Sequence, residues 1–187
     1  MAGRCTVVLA ANPRSRRRSH RAQLAQALAA ASAVENTTVV LSTAGELCRE
    51  RGFAAENVPG DRLLVTRQVE GPLVSRVQKA MRAAFDHGFA SVCLIVSGIP
   101  GCDPRILSSA FDSLERAAGA PAAVVGPCRN GQTFLFAINR NDERPLDSTR
   151  FRATPVLERL HSLGYRVERL ASVDTDPGAS VPVPAQL

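Results

Sequence analysis

Apolar runs of strand length recur along the chain: Thr6–Ala10, Thr38–Leu41, Leu63–Thr66, Val92–Val96, Ala122–Val125, Phe134–Ile138 and Val167–Leu170. They are rich in Val, Leu and Ile, and several are apolar throughout, as strands buried on both faces of a parallel sheet are. Between them, apolar residues return at helical spacing. Leu73, Val74, Val77, Ala80, Met81, Ala84 and Phe85 make one stripe, and Gly88 suits its end. Asp103 reads as a helix cap with Pro104 at the first position. Ile106, Leu107, Ala110, Phe111, Leu114 and Ala118 form the stripe behind it, closed by Gly119 and Pro121. A further helix is expected to start with Thr154 as cap and Pro155 first, burying Val156, Leu157, Leu160 and Leu163 before Gly164. The alanine-rich segment Ala22–Ala33 reads as another.

Strands alternating with helices predict an α/β sandwich with a mostly parallel sheet. The stretch Gly126–Gln132 is too short for a crossover helix, so one strand there is expected to run antiparallel. Neither an internal repeat nor a linker is visible. The expected organisation is one domain over residues 1–176, with 177–187 as a loose tail carrying three prolines.

Charge narrows the picture. The net charge is +6 over 187 residues, but Arg14, Arg16, Arg17, Arg18 and Arg21 fall within eight residues that hold no acid, and without them the balance is +1. One basic segment on a near-neutral protein argues against a surface that coats nucleic acid. Aromatics at 4% of the chain leave little to stack on single-stranded bases. No apolar run approaches the roughly 20 residues of a membrane-spanning helix. The apolar N-terminal run is too short for a signal peptide and reads as the first strand. The five cysteines are an odd number without a Cys-x-x-Cys pair, so neither a disulfide framework nor a zinc site follows; Cys5 and Cys93 are expected in the core. A cytoplasmic protein is expected. The preference for Ala and Arg over Lys points to a GC-rich coding sequence and hence a bacterium.

Ligands of open α/β sheets bind beyond the carboxyl ends of the strands. Four loops qualify: Ala11–Arg21, Ser97–Asp103, Gly126–Gln132 and Ser172–Asp176. None carries the Gly-x-Gly-x-x-Gly or Walker pattern. The first carries the arginines. A strand followed by an Arg-rich loop that opens a helix is a phosphate clamp, because guanidinium forks grip phosphate oxygens and the helix end adds amides. A solvated basic loop is the alternative. The three histidines, His20, His87 and His161, make no constellation, and no Gly-x-Ser-x-Gly nucleophile turn occurs.

In these loops the chain resembles a known group. IVSGIPGCDPRILSSAF is similar to a segment of a small family of GT-A-like, glycosyltransferase-like bacterial transferases associated with radical-SAM and selenoprotein-type domains. In that family a strand ends in Ser-Asp-x-Pro before a Pro-started helix; Ser97 and Pro100 match. VVGPCRNGQTFLFAI resembles the family's Gly-Pro-x-x-Asp-Gly-Gly hairpin through Gly126, Pro127 and Gly131. Val173, Asp174 and Thr175 match its Asp-Val-Asp-Thr turn. Gln68, Gly71, Leu73 and Arg76 look like its Gln…Gly-Asp-Leu-Gly-x-Arg segment. The basic first loop falls where the family has its nucleotide-binding loop.

The resemblance implies a Rossmann-like three-layer α/β/α sandwich, the GT-A fold of the nucleotide-diphospho-sugar transferase type, and glycosyl or nucleotidyl transfer on a nucleotide or sugar nucleotide. It implies phosphate contacts from Ala11, Asn12, Pro13, Arg14, Arg16, Arg17, Arg18 and Arg21. Ser97, Gly98 and Pro100 would form the nucleotide floor, with Asn130 and Gly131 on the acceptor side. Magnesium or manganese would be held by acids, and here the chain departs: Gly98, Asn130, Ser172 and Pro72 stand where the family has carboxylates. Hard divalent cations prefer carboxylate oxygens, so Asp174 is left as the candidate ligand. Arginines stabilising phosphate charge without an ion is one consequence. Loss of catalysis, leaving a scaffold or partner protein in a biosynthetic pathway, is the other. A homodimer or a biosynthetic enzyme partner fits that second reading, and nucleic-acid binding ranks last.

Overall fold

The structure, a computed structural model, describes residues 3–10, 18–44, 46–98 and 102–173; the side chains of residues 18–20 and 47 also lie outside that set. Its strands are β1 (Arg4–Leu9), β2 (Thr37–Thr43), β3 (Leu63–Arg67), β4 (Ser91–Val96), β5 (Ala122–Pro127), β6 (Thr133–Ile138) and β7 (Arg166–Arg169). They form one sheet in the order β3-β2-β1-β4-β6-β5-β7. Each apolar run read from the sequence is a strand. β6 runs antiparallel to both β4 and β5, and the remaining pairs are parallel. The loop that is too short for a helix therefore does produce the reversed strand.

Helices α1 (Arg18–Ser32), α2 (Leu47–Ala55), α3 (Leu73–Asp86), α4 (Pro104–Arg116) and α5 (Ala153–Ser162) cover the sheet. α1, α2 and α4 bury Leu24, Leu28, Ala54, Leu107, Phe111 and Leu114 against one face. α3 and α5 bury Val77, Met81, Val156 and Leu160 against the other. The result is a three-layer α/β/α sandwich. Residues of β1, β5 and β6 are buried on both faces, which explains their unbroken apolar runs. Each fully buried Leu or Phe in these layers contributes about 1.5–3 kcal/mol.

Three details of the helix reading change. Thr154 is not the cap of α5. The helix begins at Ala153 and Arg152 holds the cap position with extended backbone (φ −96°, ψ 142°). Ala153 N donates to Gly131 O at 3.0 Å, so an orphan amide of the first turn is met by the β5–β6 hairpin instead of a threonine hydroxyl. Pro155 is accommodated within that first turn, where no intrahelical donor is lost. Ala118 is exposed and has left the helix (φ 48°); Ala117 is the buried residue. Finally, α2 has no apolar stripe in the sequence because, of its described side chains, it buries fully only Ala54. The proposed cap of α4 holds: Asp103 Oδ1 accepts from Arg105 N at 2.7 Å, with Pro104 first.

Candidate functional site

Strand order reverses at β1. β2 and β3 lie on one side of it, while β4 lies on the other. At such a switch the connections leaving the two central strands diverge, and a crevice opens beyond their carboxyl ends. Local bonds frame this edge. Ser97 N, after β4, donates to Leu9 O at 2.9 Å, and Ala10 N donates to Ser42 O at 2.9 Å. Ser97 is buried. Gly98 follows with φ 97°, a conformation that strains residues bearing a Cβ. Glycine here is thus a backbone requirement at the position where the resembled family has an acid.

A polar clasp closes the neighbouring stretch of the same edge. Gln68, just past β3, is buried and sends Nε2 to Ser42 O at 2.6 Å and Ala10 O at 3.0 Å. It thereby spans from the end of β3 across β2 to β1. Its Oε1 accepts from Arg76 Nε at 2.8 Å, and Arg76 Nη2 donates to Ala10 O at 2.9 Å. Burial pulls Arg76 below the ordinary arginine range, although a guanidinium keeps its proton at neutral pH. Sequence reasoning met both residues only as part of a resemblance and gave neither a role in the site. Their separation along the chain from Ala10, 58 and 66 residues, hides the contact.

The β5–β6 hairpin lies at the carboxyl end of β5. Asn130 Oδ1 accepts from Gln132 N at 3.0 Å, so the side chain builds its own turn. Arg152 Nη2 donates to Asn130 O at 3.1 Å. Backbone bonds from Arg129 N to Val173 O and from Val173 N to Pro127 O, each 3.0 Å, bring the segment after β7 against this hairpin. Asp174 itself lies outside the described residues, as does the tail.

Of the basic segment, Ala11, Asn12, Pro13, Arg14, Arg16 and Arg17 lie outside the described residues, and so does Pro100. Arg18 opens α1, with its side chain outside that set. Arg21 is described: its guanidinium stacks over the Phe53 ring of α2, 4.5 Å from the centroid. This places one of the five arginines on a helix surface. Among the described residues no three His, Cys, Asp or Glu come together as a metal site. The described donor set, with Gly98 and Asn130 at the acid positions, does not fit a divalent cation.

Four of the five thiols are buried or half-buried, and Cys48 is exposed. Burial raises Cys5 and Cys93, takes Cys102 up to about 12 with help from Asp103, and takes Cys128 to about 11. All four remain protonated at neutral pH. Among the described residues no helix is long and apolar enough to cross a membrane.

No curated protein matches this sequence. Solved structures do match its fold. A putative nucleotide-diphospho-sugar transferase from Desulfovibrio desulfuricans G20 superposes with a TM-score of 0.72 at 19% identity, covering 94% of this chain and 83% of that one. A cytidylyltransferase from Leptospira borgpetersenii serovar Hardjo-bovis gives 0.60 at 15% identity, over 91% and 76%. A manganese complex of a Mycobacterium tuberculosis H37Rv protein gives 0.52 at 19%, over 93% and 90%. Identities this low establish shared architecture alone. Kinship in sequence comes from a family match over residues 24–153, which takes in Gln68, Arg76, Ser97 and the hairpin: the chain belongs to the family described as "Uncharacterized protein conserved in bacteria (DUF2064)".

Proposed function

We propose that this protein binds a nucleotide or sugar nucleotide in the crevice beyond β1 and β4 and transfers a nucleotidyl or glycosyl group from it. The observation that carries the reading is the strand-order reversal at β1, the strand that the arginine-rich segment follows in the sequence. The shared architecture with a cytidylyltransferase and a putative nucleotide-diphospho-sugar transferase supports it. Arg14, Arg16, Arg17 and Arg18, with the backbone of Ala11–Pro13, would grip the phosphates. Ser97, Gly98 and Pro100 would form the floor under the nucleoside. Asn130 and Gly131 would border the acceptor, the former through its backbone since its amide is spent on the turn. Guanidinium groups fixed before the reaction would meet negative charge as it develops on the transferred phosphate. Magnesium and manganese are the ions to test, with Asp174 as the candidate ligand.

Calorimetric titration with nucleoside triphosphates and nucleoside-diphosphate sugars, in magnesium, manganese and EDTA, tests binding. Release of pyrophosphate then reports nucleotidyl transfer, and release of a nucleoside diphosphate reports glycosyl transfer. Folded protein that binds none of these ligands ends the proposal. The glycine and asparagine at positions 98 and 130 favour a second reading, a non-catalytic GT-A scaffold serving a biosynthetic partner. It predicts nucleotide binding without either product, and stable co-purification with another enzyme.

A further inference from the structure

Among the described residues, no carboxylate balances the charge of Arg76. Its described partners are the neutral oxygens of Gln68 and Ala10. Arg62 makes an instructive contrast. It too bonds only to carbonyls, those of Ser32, Val34 and Thr37 at 2.9–3.0 Å. Those acceptors lie at and just beyond the end of α1, where orphan carbonyls and the helix dipole supply negative potential. Arg76 sits instead in the opening turns of α3, where the dipole is positive and adds to the guanidinium field. The first turn of α3 carries no acid, and its cap residue, Pro72, makes no side-chain bond. A half-buried cation at a positive helix end costs desolvation energy that neutral oxygens only partly return.

The bonds to Gln68 and Ala10 use Nε and Nη2, leaving Nη1 without a partner among the described residues. Both bonds also fix the plane of the fork, and the fork lies against Ala10, the residue from which the chain enters the arginine-rich segment. We infer that Arg76 is the fixed cation of the phosphate site, taking an oxygen of a di- or triphosphate chain through its Nη1 edge. This rests on the nucleotide reading above and names one residue outside the loop that the reading uses. Unlike the arginines at 14–18, which that reading draws from the segment after β1, Arg76 stands on a helix and is held in place by a buried glutamine. A planar, pre-aligned guanidinium binds phosphate at lower entropic cost than a free one.

The test uses the full chain as wild type, Arg76→Met and Arg76→Lys, titrated with inorganic pyrophosphate and with the mono-, di- and triphosphates of the best-binding nucleoside. Arg76→Met is expected to weaken pyrophosphate about tenfold or more, with a loss that grows from mono- to triphosphate. Arg76→Lys is expected between it and wild type, since the point charge survives and the fork does not. Pyrophosphate affinity of Arg76→Met within about twofold of wild type, at an unchanged melting temperature, overturns the inference. An equal loss for mono-, di- and triphosphate also overturns it, because that marks a residue that only positions the loop. If Arg76→Met does not fold, Arg76→Lys decides: a loss of about threefold or more upholds the inference and unchanged affinity ends it. Wild type that binds neither pyrophosphate nor any nucleotide removes the nucleotide reading itself. Wild type that binds while Arg76→Met binds equally removes only this inference.

Discussion

The two ends of the sheet treat their charges differently. On the amino half, four arginines meet carboxylates: Arg4 with Glu115, Arg82 with Glu143, Arg116 with Glu168, Arg144 with Asp142. Glu168 also accepts from Ser113, and Asp142 from Tyr165. At the carboxyl edge Arg76 meets an amide and a backbone carbonyl, and glycine and asparagine occupy positions where the resembled family has acids. Internal pairing makes a surface electrically quiet. A cation with no carboxylate among its described partners holds a positive potential that an anion can relieve. The contrast sets described ion pairs at one end of the molecule against, at the other, the cation that the phosphate proposal uses.

The largest effect on stability is expected where the clasp is cut. Gln68→Ala removes two bonds to strand-end carbonyls and leaves Arg76 Nε unpaired. Loss of a charge-assisted bond together with two neutral ones in a buried site amounts to about 2–4 kcal/mol. Urea denaturation should show it as a lower midpoint. A loss below about 1 kcal/mol would mean that the carboxyl edge is held by strand pairing alone. Gly126→Ala comes next. A Cβ there would stand 2.7 Å from Phe134 Cε1 and 2.9 Å from Leu135 Cβ, with the register of β5 against β6 already shifted at that point. Phe134 is buried, so the ring has little room to retreat, and overpacking of this kind costs about 1–3 kcal/mol. A cost above that of Gln68→Ala would make packing, and not the polar clasp, the principal support of this edge.

The two residues show how much the sequence could disclose. The strands were readable because burial on both faces forces unbroken apolar runs. The reversed strand was readable because a short loop between two such runs cannot cross over. Asp103 and Pro104 announced α4 because capping is local chemistry. Thr154 misled for the opposite reason: the first amides of α5 are satisfied across space by Gly131, and no local pattern encodes that. The site divides the same way. The arginine-rich segment is visible as composition, and Gly98 as a glycine where the resembled transferases have an acid. Gln68 and Arg76 are ordinary polar residues in sequence. Only the parallel order of β1, β2 and β3 brings them onto Ala10, and a contact made through sheet order leaves no periodic signature.

On the amino half the effects should be smaller. Glu115→Gln breaks the pair with Arg4, whose Nε lies 2.7 Å from Oε1. More than half of the Glu115 side chain is exposed, so the loss is expected at about 0.2–1 kcal/mol and should shrink further in high salt. A salt-independent loss of several kcal/mol would erase the distinction between the two ends, since the amino half would then also hold a strongly coupled charge.

The smallest effect is a pH dependence. Asp142 lies below its ordinary value of 3.8, chiefly through the Arg144 side chain, whose Nε and Nη2 reach Oδ1 and Oδ2 at 2.9 and 2.7 Å. Tyr165 and the Arg144 amide add to this, while burial opposes it. A carboxylate whose folded pKa is depressed stabilises the fold fully above its unfolded pKa and loses that contribution as pH falls through the folded pKa. Wild type should therefore lose stability below about pH 4, and Asp142→Asn should lose less over the same interval. Urea midpoints from pH 3 to 7 compare the two. Parallel acid limbs would show that Asp142 is paired no more tightly in the folded chain than in the unfolded one. A shallower limb in Asp142→Asn would assign part of the acid sensitivity to the amino half. The clasp has no counterpart to that behaviour, because Gln68 cannot titrate and a guanidinium does not lose its proton in this range. Acid should thus loosen the paired end of the molecule while leaving the charge of Arg76 in place.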